Sequence, residues 1–204
     1  MNSLLLRLRS PYITIPLLLL IGLAVAVSRG LSWLPRYNLT ASIPEGWYLP
    51  LPARPLEHGE IVLSCPPPWV YHLGNSRGYL PRINGICPNG NIPFFKFVAG
   101  LPGDRLTFVN GEIAVNGCVL HNSQIETRDP SGRPLPHRLH PGIIPWGKVL
   151  LIGDVRRSFD GRYFGLIPMT DIQPQPLFRL FAPQPKLRCR KLSAQGGRHA
   201  VAPR

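Results

Sequence analysis

Two side chains in this sequence have the types and settings from which a nucleophile can be made. Lys96 stands in Pro93-Phe94-Phe95-Lys96-Phe97-Val98-Ala99, an apolar run rich in β-formers. If the run is a strand, alternation puts Phe95 and Phe97 on one face and Phe94, Lys96 and Val98 on the other, so the amine shares its face with two apolar neighbours. An ordinary lysine is no base at neutral pH, but burial disfavours its charged form and lowers its pKa by up to several units. A neutral amine can then take a proton from a hydroxyl. Taken alone, Lys96 also reads as an edge-strand lysine that snorkels to water. The second group is Ser42, in Asn38-Leu39-Thr40-Ala41-Ser42-Ile43-Pro44-Glu45-Gly46-Trp47-Tyr48, a loop that Pro44 and Gly46 make tight. Beside such a lysine, Ser42 is a candidate nucleophile. The Thr40 hydroxyl and the Ser42 backbone N–H are candidates to hold a developing oxyanion. The six histidines fall in polar loops or the tail, and none supplies the base of a Ser-His-Asp arrangement. No Cys or His cluster has metal-ligand spacing, so no metal and no cofactor are expected.

The elements that must carry these groups read as short strands. The 25 Pro and 20 Gly among 204 residues argue against a helix bundle, since proline breaks helix interiors. Glu60-Ile61-Val62-Leu63 and Phe94 to Ala99 are expected strands. Arg105–Val109, Glu112–Val115 and Cys118–Leu120 follow as three short runs separated by Asn110-Gly111 and Asn116-Gly117. Asn-Gly suits the positive φ of two-residue hairpin loops, which predicts a three-strand antiparallel meander. His121 to Trp146 is a polar, Pro-rich excursion. Val149 to Ile152 is a buried strand, followed by a glycine- and charge-rich loop. The fold class is therefore mainly β, a coiled or barrel-like sheet assembly, with one N-terminal transmembrane helix.

That helix is expected over residues 11–27, about seventeen residues without a charge, after a cytoplasmic N-terminus (1–10) carrying Arg7 and Arg9. Ala24-Val25-Ala26 also resembles a signal-peptide cleavage site, so retention and removal both stay open. In either case the exported part spans residues 28–182. Export makes the four cysteines disulfide candidates. Of the conceivable pairings Cys65–Cys87 is favoured, because it brackets a Pro/Gly-rich stretch with too little apolar pattern for its own core; free buried thiols are the alternative. The chain carries 23 Lys and Arg against 10 Asp and Glu, a net +13. Such an excess raises nucleic acid or anionic lipid as partners. Residues 183–204 read as a basic, disordered tail, and no nucleic-acid motif accompanies them, so no nucleic-acid partner is expected.

Ordered boxes then point to a family. They are Ser42-x-Pro44-x-Gly46-x-Tyr48, Lys96-x-Val98-Ala99-Gly100-Leu101-Pro102-Gly103-Asp104, and Gly153-Asp154-x-x-x-Ser158-Phe159-Asp160-Gly161-Arg162-Tyr163-Phe164-Gly165. Over Asn38 to Pro168 the chain resembles the membrane-bound signal peptidases with a Ser/Lys dyad. Gly78-Tyr79-Leu80-Pro81, Cys87-Pro88-x-Gly90 and Asp129-x-x-Gly132-Arg133-x-Leu135-Pro136 resemble the TraF-type conjugative-transfer branch in particular. Ile43, Phe97 and Gly161 depart from residues usual among relatives, and none of the three is a reacting group. The resemblance implies a signal-peptidase-like fold, a serine endopeptidase with Ser42 as nucleophile and Lys96 as general base, and an inner-membrane protein whose catalytic domain lies in the bacterial periplasm. It implies Ser158 as the group orienting the Lys96 amine, and Asp160 with Arg162 as a buried pair bracing the loop, with Asp154 the other candidate carboxylate. The implied partners are inner-membrane lipids and a pilin precursor or other membrane-emerging preprotein, hydrolysed or cyclised. A general leader peptidase and a non-catalytic scaffold of a secretion apparatus stand as alternative readings.

Overall fold

Strand pairing rather than helix packing organises the chain in the computed structural model, which describes residues 11–32 and 34–192. In chain order the elements are α1 (Pro11–Ser32), β1 (Arg36–Asn38), β2 (Gly46–Pro50), β3 (Ile61–Ser64), α2 (Pro68–Ser76), β4 (Phe94–Gly100), β5 (Arg105–Val109), β6 (Glu112–Val115), β7 (Cys118–Leu120), β8 (Gly142–Ile143), β9 (Lys148–Ile152), α3 (Gly161–Phe164), β10 (Ile167–Pro168), β11 (Leu177–Arg179) and β12 (Cys189–Lys191). The fold is mainly β. One sheet runs β1-β2-β11-β3-β4-β9-β10, and a second runs β12-β7-β6-β5-β8.

The meander forms as the Asn-Gly pairs require. Asn110 and Gly111 have φ of 51° and 80°, Asn116 and Gly117 of 49° and 77°, and both turns link antiparallel neighbours. Strand β4 lies between β3 and β9 and is buried along its whole length. Its two faces feed different apolar clusters, as alternation predicts. Phe94 and Val98 join Val62, Val70 and Leu151, whereas Phe95 and Phe97 join Ile43, Tyr48, Leu63 and Leu177. Lys96 belongs to the first face.

Cys65 and Cys87 are disulfide-bonded across the Pro/Gly-rich stretch, as expected. That stretch nonetheless holds a helix that its composition concealed, α2, which buries Val70, Tyr71 and Gly74. Pro68 at its first turn is compatible with helix, because the missing N–H has no intrahelical partner there. A second disulfide, Cys118–Cys189, pins β12 beside β7. Residues 183–192, expected to begin a disordered tail, are thereby corrected to an ordered strap. Leu187 packs where two apolar clusters meet, and Cys189, Arg190 and Lys191 pair with Leu120, Val119 and Cys118. The rest of that tail and the expected cytoplasmic residues 1–10 lie outside the described residues.

Helix α1 covers the segment expected to cross a membrane. Its transmembrane character is not supported, however: among the described residues no helix is long and apolar enough to cross one. The uncharged run over residues 11–27 is at the short end of what spans a bilayer.

Candidate active site

The loop carrying Ser42 joins β1 to β2 and is fixed by the buried amide of Asn38, a residue that sequence reasoning missed. Asn38 is only 1% exposed. Its Nδ2 donates to the carbonyls of Thr40 (2.9 Å), Ile43 (2.7 Å) and Pro44 (3.3 Å). Its Oδ1 accepts from the Thr40 backbone N–H (3.1 Å) and the Thr40 hydroxyl (3.0 Å). The Tyr48 hydroxyl donates to the Pro44 carbonyl at 2.7 Å from the other side. Because the three carbonyls fix which end of the Asn38 amide is the donor, Thr40 must give its only hydroxyl proton to Oδ1. In this structure the Thr40 hydroxyl is engaged by Asn38, and the Ser42 backbone N–H is the other candidate oxyanion donor. The available signal for Asn38 was its type: an Asn two residues before a turn can bond the following backbone.

A second segment, from Gly153 to Phe164, closes over Ser42. The Asp154 backbone N–H donates to the Ser42 carbonyl at 2.7 Å. The Ser158 hydroxyl lies 3.1 Å from Ser42 Oγ, donating to it. This differs from the expected role: no hydrogen bond joins Ser158 to Lys96. Asp160 and Arg162 are both fully buried and paired, Nη2 to Oδ2 at 2.8 Å and Nε to Oδ1 at 2.9 Å. Asp160 also accepts from the backbone N–H groups of Gly153 (2.8 Å) and Arg162 (3.1 Å), so it ties the end of β9 to the start of α3. Arg162 gives its remaining N–H groups to the carbonyls of Asn122 (2.8 Å), Arg156 (2.7 Å) and Val155 (3.0 Å). All five donors of the guanidinium are thus used. Asp154, the other candidate carboxylate, serves through its backbone; its side chain lies 4.0 Å from Arg188, with Oδ1 buried and unpartnered.

Two glycines make this closure possible. A Cβ on Gly153 would lie 2.3 Å from Ser158 Oγ and 2.9 Å from the Ser42 carbonyl oxygen. Gly153→Ala must therefore push apart the two segments that meet at Ser42. We expect at least a 10²-fold loss of kcat/KM, the scale of a misplacement of about 1 Å, with far-UV circular dichroism unchanged. Near-normal turnover in that variant would show that the contact does not position Ser42. A Cβ on Gly161 would come within 2.7 Å of the Leu151 carbonyl oxygen, so this close approach also calls for glycine.

Lys96, 3% exposed, lies opposite Val62 in the β3–β4 pairing, with Nζ 5.4 Å from the Phe94 ring centroid. Burial pulls its pKa down from 10.5 to about 8; the Asp160 carboxylate works against that pull and the Arg162 guanidinium adds to it. Ser42, Thr40, Lys96 and Ser158 all line one open cleft of about 890 Å³, together with Phe94 and Tyr163. The arrangement places a hydroxyl and an amine of lowered basicity on the walls of one open cavity. Among the described residues no group of His, Cys, Asp and Glu is placed to hold a metal ion.

Known proteins similar to this chain agree in kind. The plasmid transfer protein TraF of Escherichia coli is 38% identical over 140 residues, 67% of this chain and 77% of that one. A conjugal transfer protein TraF of Agrobacterium tumefaciens is 35% identical over 159 residues, 74% of this chain and 88% of that protein. Signal peptidase I of Leptolyngbya laminosa is 28% identical over 95 residues, 46% and 44% of the two chains. The profile described as "Signal peptidase, peptidase S26" matches residues 8–181. That match takes in both walls of the cleft and nearly all of the sheet behind it, so the chain belongs to the S26 signal peptidase family of serine peptidases.

Proposed function

We propose that the protein is a Ser/Lys endopeptidase of the bacterial envelope that processes a pilin precursor for conjugative transfer. The observation carrying this reading is that Lys96, with its basicity lowered by burial, shares one cleft with Ser42. Ser42 Oγ attacks the scissile carbonyl carbon while Lys96 Nζ takes its proton. The tetrahedral oxyanion is held by the Ser42 N–H, and collapse breaks the peptide bond as Lys96 returns the proton to the leaving amine. The acyl-enzyme is then released by water, giving a linear product, or by the substrate's own amino group, giving a cyclic one. The conjugal-transfer names of the relatives support the substrate class. The signal peptidase I likeness favours a second reading, a general leader peptidase, which would cleave unrelated secretory precursors.

The envelope location is supported by two disulfides, which persist in oxidising compartments. We place the amino-terminal helix at the inner membrane, with the β domain on the periplasmic side. Tyr12, Leu18, Leu19 and Leu20 of that helix are between 63% and 89% exposed, an apolar surface suited to lipid. The strands from β1 to β12 are then the peptidase domain.

The test is incubation of the enzyme with a candidate pilin precursor, followed by mass spectrometry. Cleavage supports the reading; a product one water lighter than the linear chain marks cyclisation, and an intact precursor rejects it. The same assay should show a pH limb. The reactive amine is the neutral one, so kcat/KM rises with pH through about 8. Between pH 7 and 9 the gain is about tenfold. A limb near 10.5, or none, would contradict Lys96 as the base.

A further inference from the structure

The cleft holds more positive charge than a Ser/Lys pair needs. Five arginines, Arg77, Arg128, Arg133, Arg156 and Arg157, line it against two carboxylates, Glu126 and Asp129. Both carboxylates are already engaged. Arg133 Nε lies 2.6 Å from Asp129 Oδ2 with Arg77 Nη1 at 3.9 Å, and Arg156 Nε lies 2.8 Å from Glu126 Oε1. Asp129 also accepts from the Tyr79 hydroxyl at 2.5 Å and from the backbone N–H groups of Ser131 and Arg133, both at 2.9 Å.

Two arginines are left over. Arg157 is exposed and makes no ion pair among the described residues; it directly precedes Ser158, whose hydroxyl meets Ser42 Oγ. Arg128 is exposed too, with Nη1 donating only to the Gly132 carbonyl at 2.6 Å. Apart from Lys96, every basic group on these walls is an arginine, the cation whose planar fork matches a carboxylate. A cleft lined by one sign of charge raises the local concentration of the opposite one.

Given the reading of this cleft as the peptide site, we propose that Arg157 and Arg128 bind a substrate carboxylate next to the scissile bond. The proposal selects precursors that carry an acidic side chain or a chain-terminal carboxylate within a few residues of the cut.

The test separates binding from turnover. Full-length Ser42→Ala protein is titrated with fluorescein-labelled dodecapeptides of Ala, Leu and Gly. The four versions carry a central Glu or Gln and end in a free carboxylate or an amide. We expect the Glu peptide or the free-acid peptide to bind about five-fold more tightly than its neutral counterpart at low salt. The preference should fade toward unity at 1 M NaCl, where screening extends only about 3 Å. The Glu–Gln pair reports a side-chain source and the acid–amide pair a terminal one. Arg157→Gln with Arg128→Gln should bring the ratio to about one, and Arg157→Lys with Arg128→Lys should restore part of it. Equal binding of all four peptides, or no detectable binding of any, overturns the proposal. So does a double Gln variant that keeps the preference while losing affinity for phosphatidylglycerol vesicles, since the rim would then read lipid. Because binding is measured without turnover, the proposal can fail while the catalytic assignment stands, and the converse.

Discussion

Ser42→Ala and Lys96→Met should each lower precursor processing by about 10³-fold or more, with the fold retained. The two are expected to differ in stability. Ser42→Ala removes a hydroxyl whose neighbour Ser158 still faces an open cleft, and should change little. Lys96→Met replaces a buried amine with an apolar chain of similar length among Phe94, Val62 and Val98. Folding lowers the pKa of that amine from 10.5 to about 8. At about 1.36 kcal/mol per unit, the native state bears a cost of roughly 3 kcal/mol when Lys96 must enter charged or shed its proton. The sign follows from linkage. Between about pH 8 and 10.5 the unfolded chain binds more protons than the folded one, so wild-type stability rises with pH across that window and is lowest below it. Lys96→Met should therefore exceed the wild type most at neutral pH and converge with it near pH 10.5. Denaturant midpoints at pH 7 and pH 10 check this, and a Met variant no more stable than wild type at pH 7 would contradict it.

The second large effect concerns the pair behind the catalytic loop. Asp160→Ala leaves the fully buried Arg162 without a counter-ion and strips the Gly153 and Arg162 N–H groups of their acceptor. Removing one member of such a pair costs about 3–5 kcal/mol, a large share of the 5–15 kcal/mol that holds a typical domain together. Arg162→Met should cost as much, because Asp160 and four backbone carbonyls lose their partner. Since the two act as one unit, the double variant should lose clearly less than the sum of the single losses in urea unfolding. Full additivity would mean that they do not stabilise the loop as a pair. Processing should fall in all three variants, because the same carboxylate fixes Gly153 and, through it, the approach of Ser158 to Ser42.

What was legible in the sequence was local. Asn-Gly turns define a hairpin from two residues, and period-two alternation correctly assigned Phe95 and Phe97 to one face of β4 and Lys96 to the other. Cys65 and Cys87, 22 positions apart, bracket a segment visibly short of apolar residues. Cys118 and Cys189, 71 positions apart, meet only because β12 adds to the edge of the second sheet, a long-range event without a local signature. Hydrogen-bond partners were harder still. Position next to Ser42 pointed to Thr40 and the family resemblance to Ser158, and both line the cleft, yet Asn38 accepts from the Thr40 hydroxyl and the Ser158 hydroxyl meets Ser42. Those choices turn on differences of an ångström or less that residue order does not encode. The arginine-rich rim is likewise assembled from residues 77 to 157, and no single stretch of chain announces it.

Burial leaves one lysine weakly basic, and that basicity can be read at the carbon next to its amine. The chain has four lysines, Lys96, Lys148, Lys186 and Lys191, so protein labelled with ¹³C at lysine Cε gives few resonances to follow. The resonance missing from Lys96→Met assigns the site. A titration midpoint near 8 for that resonance is the predicted result. A midpoint near 10.5 would mean that burial leaves Lys96 as basic as a lysine in water, and Lys96 could not then be the base.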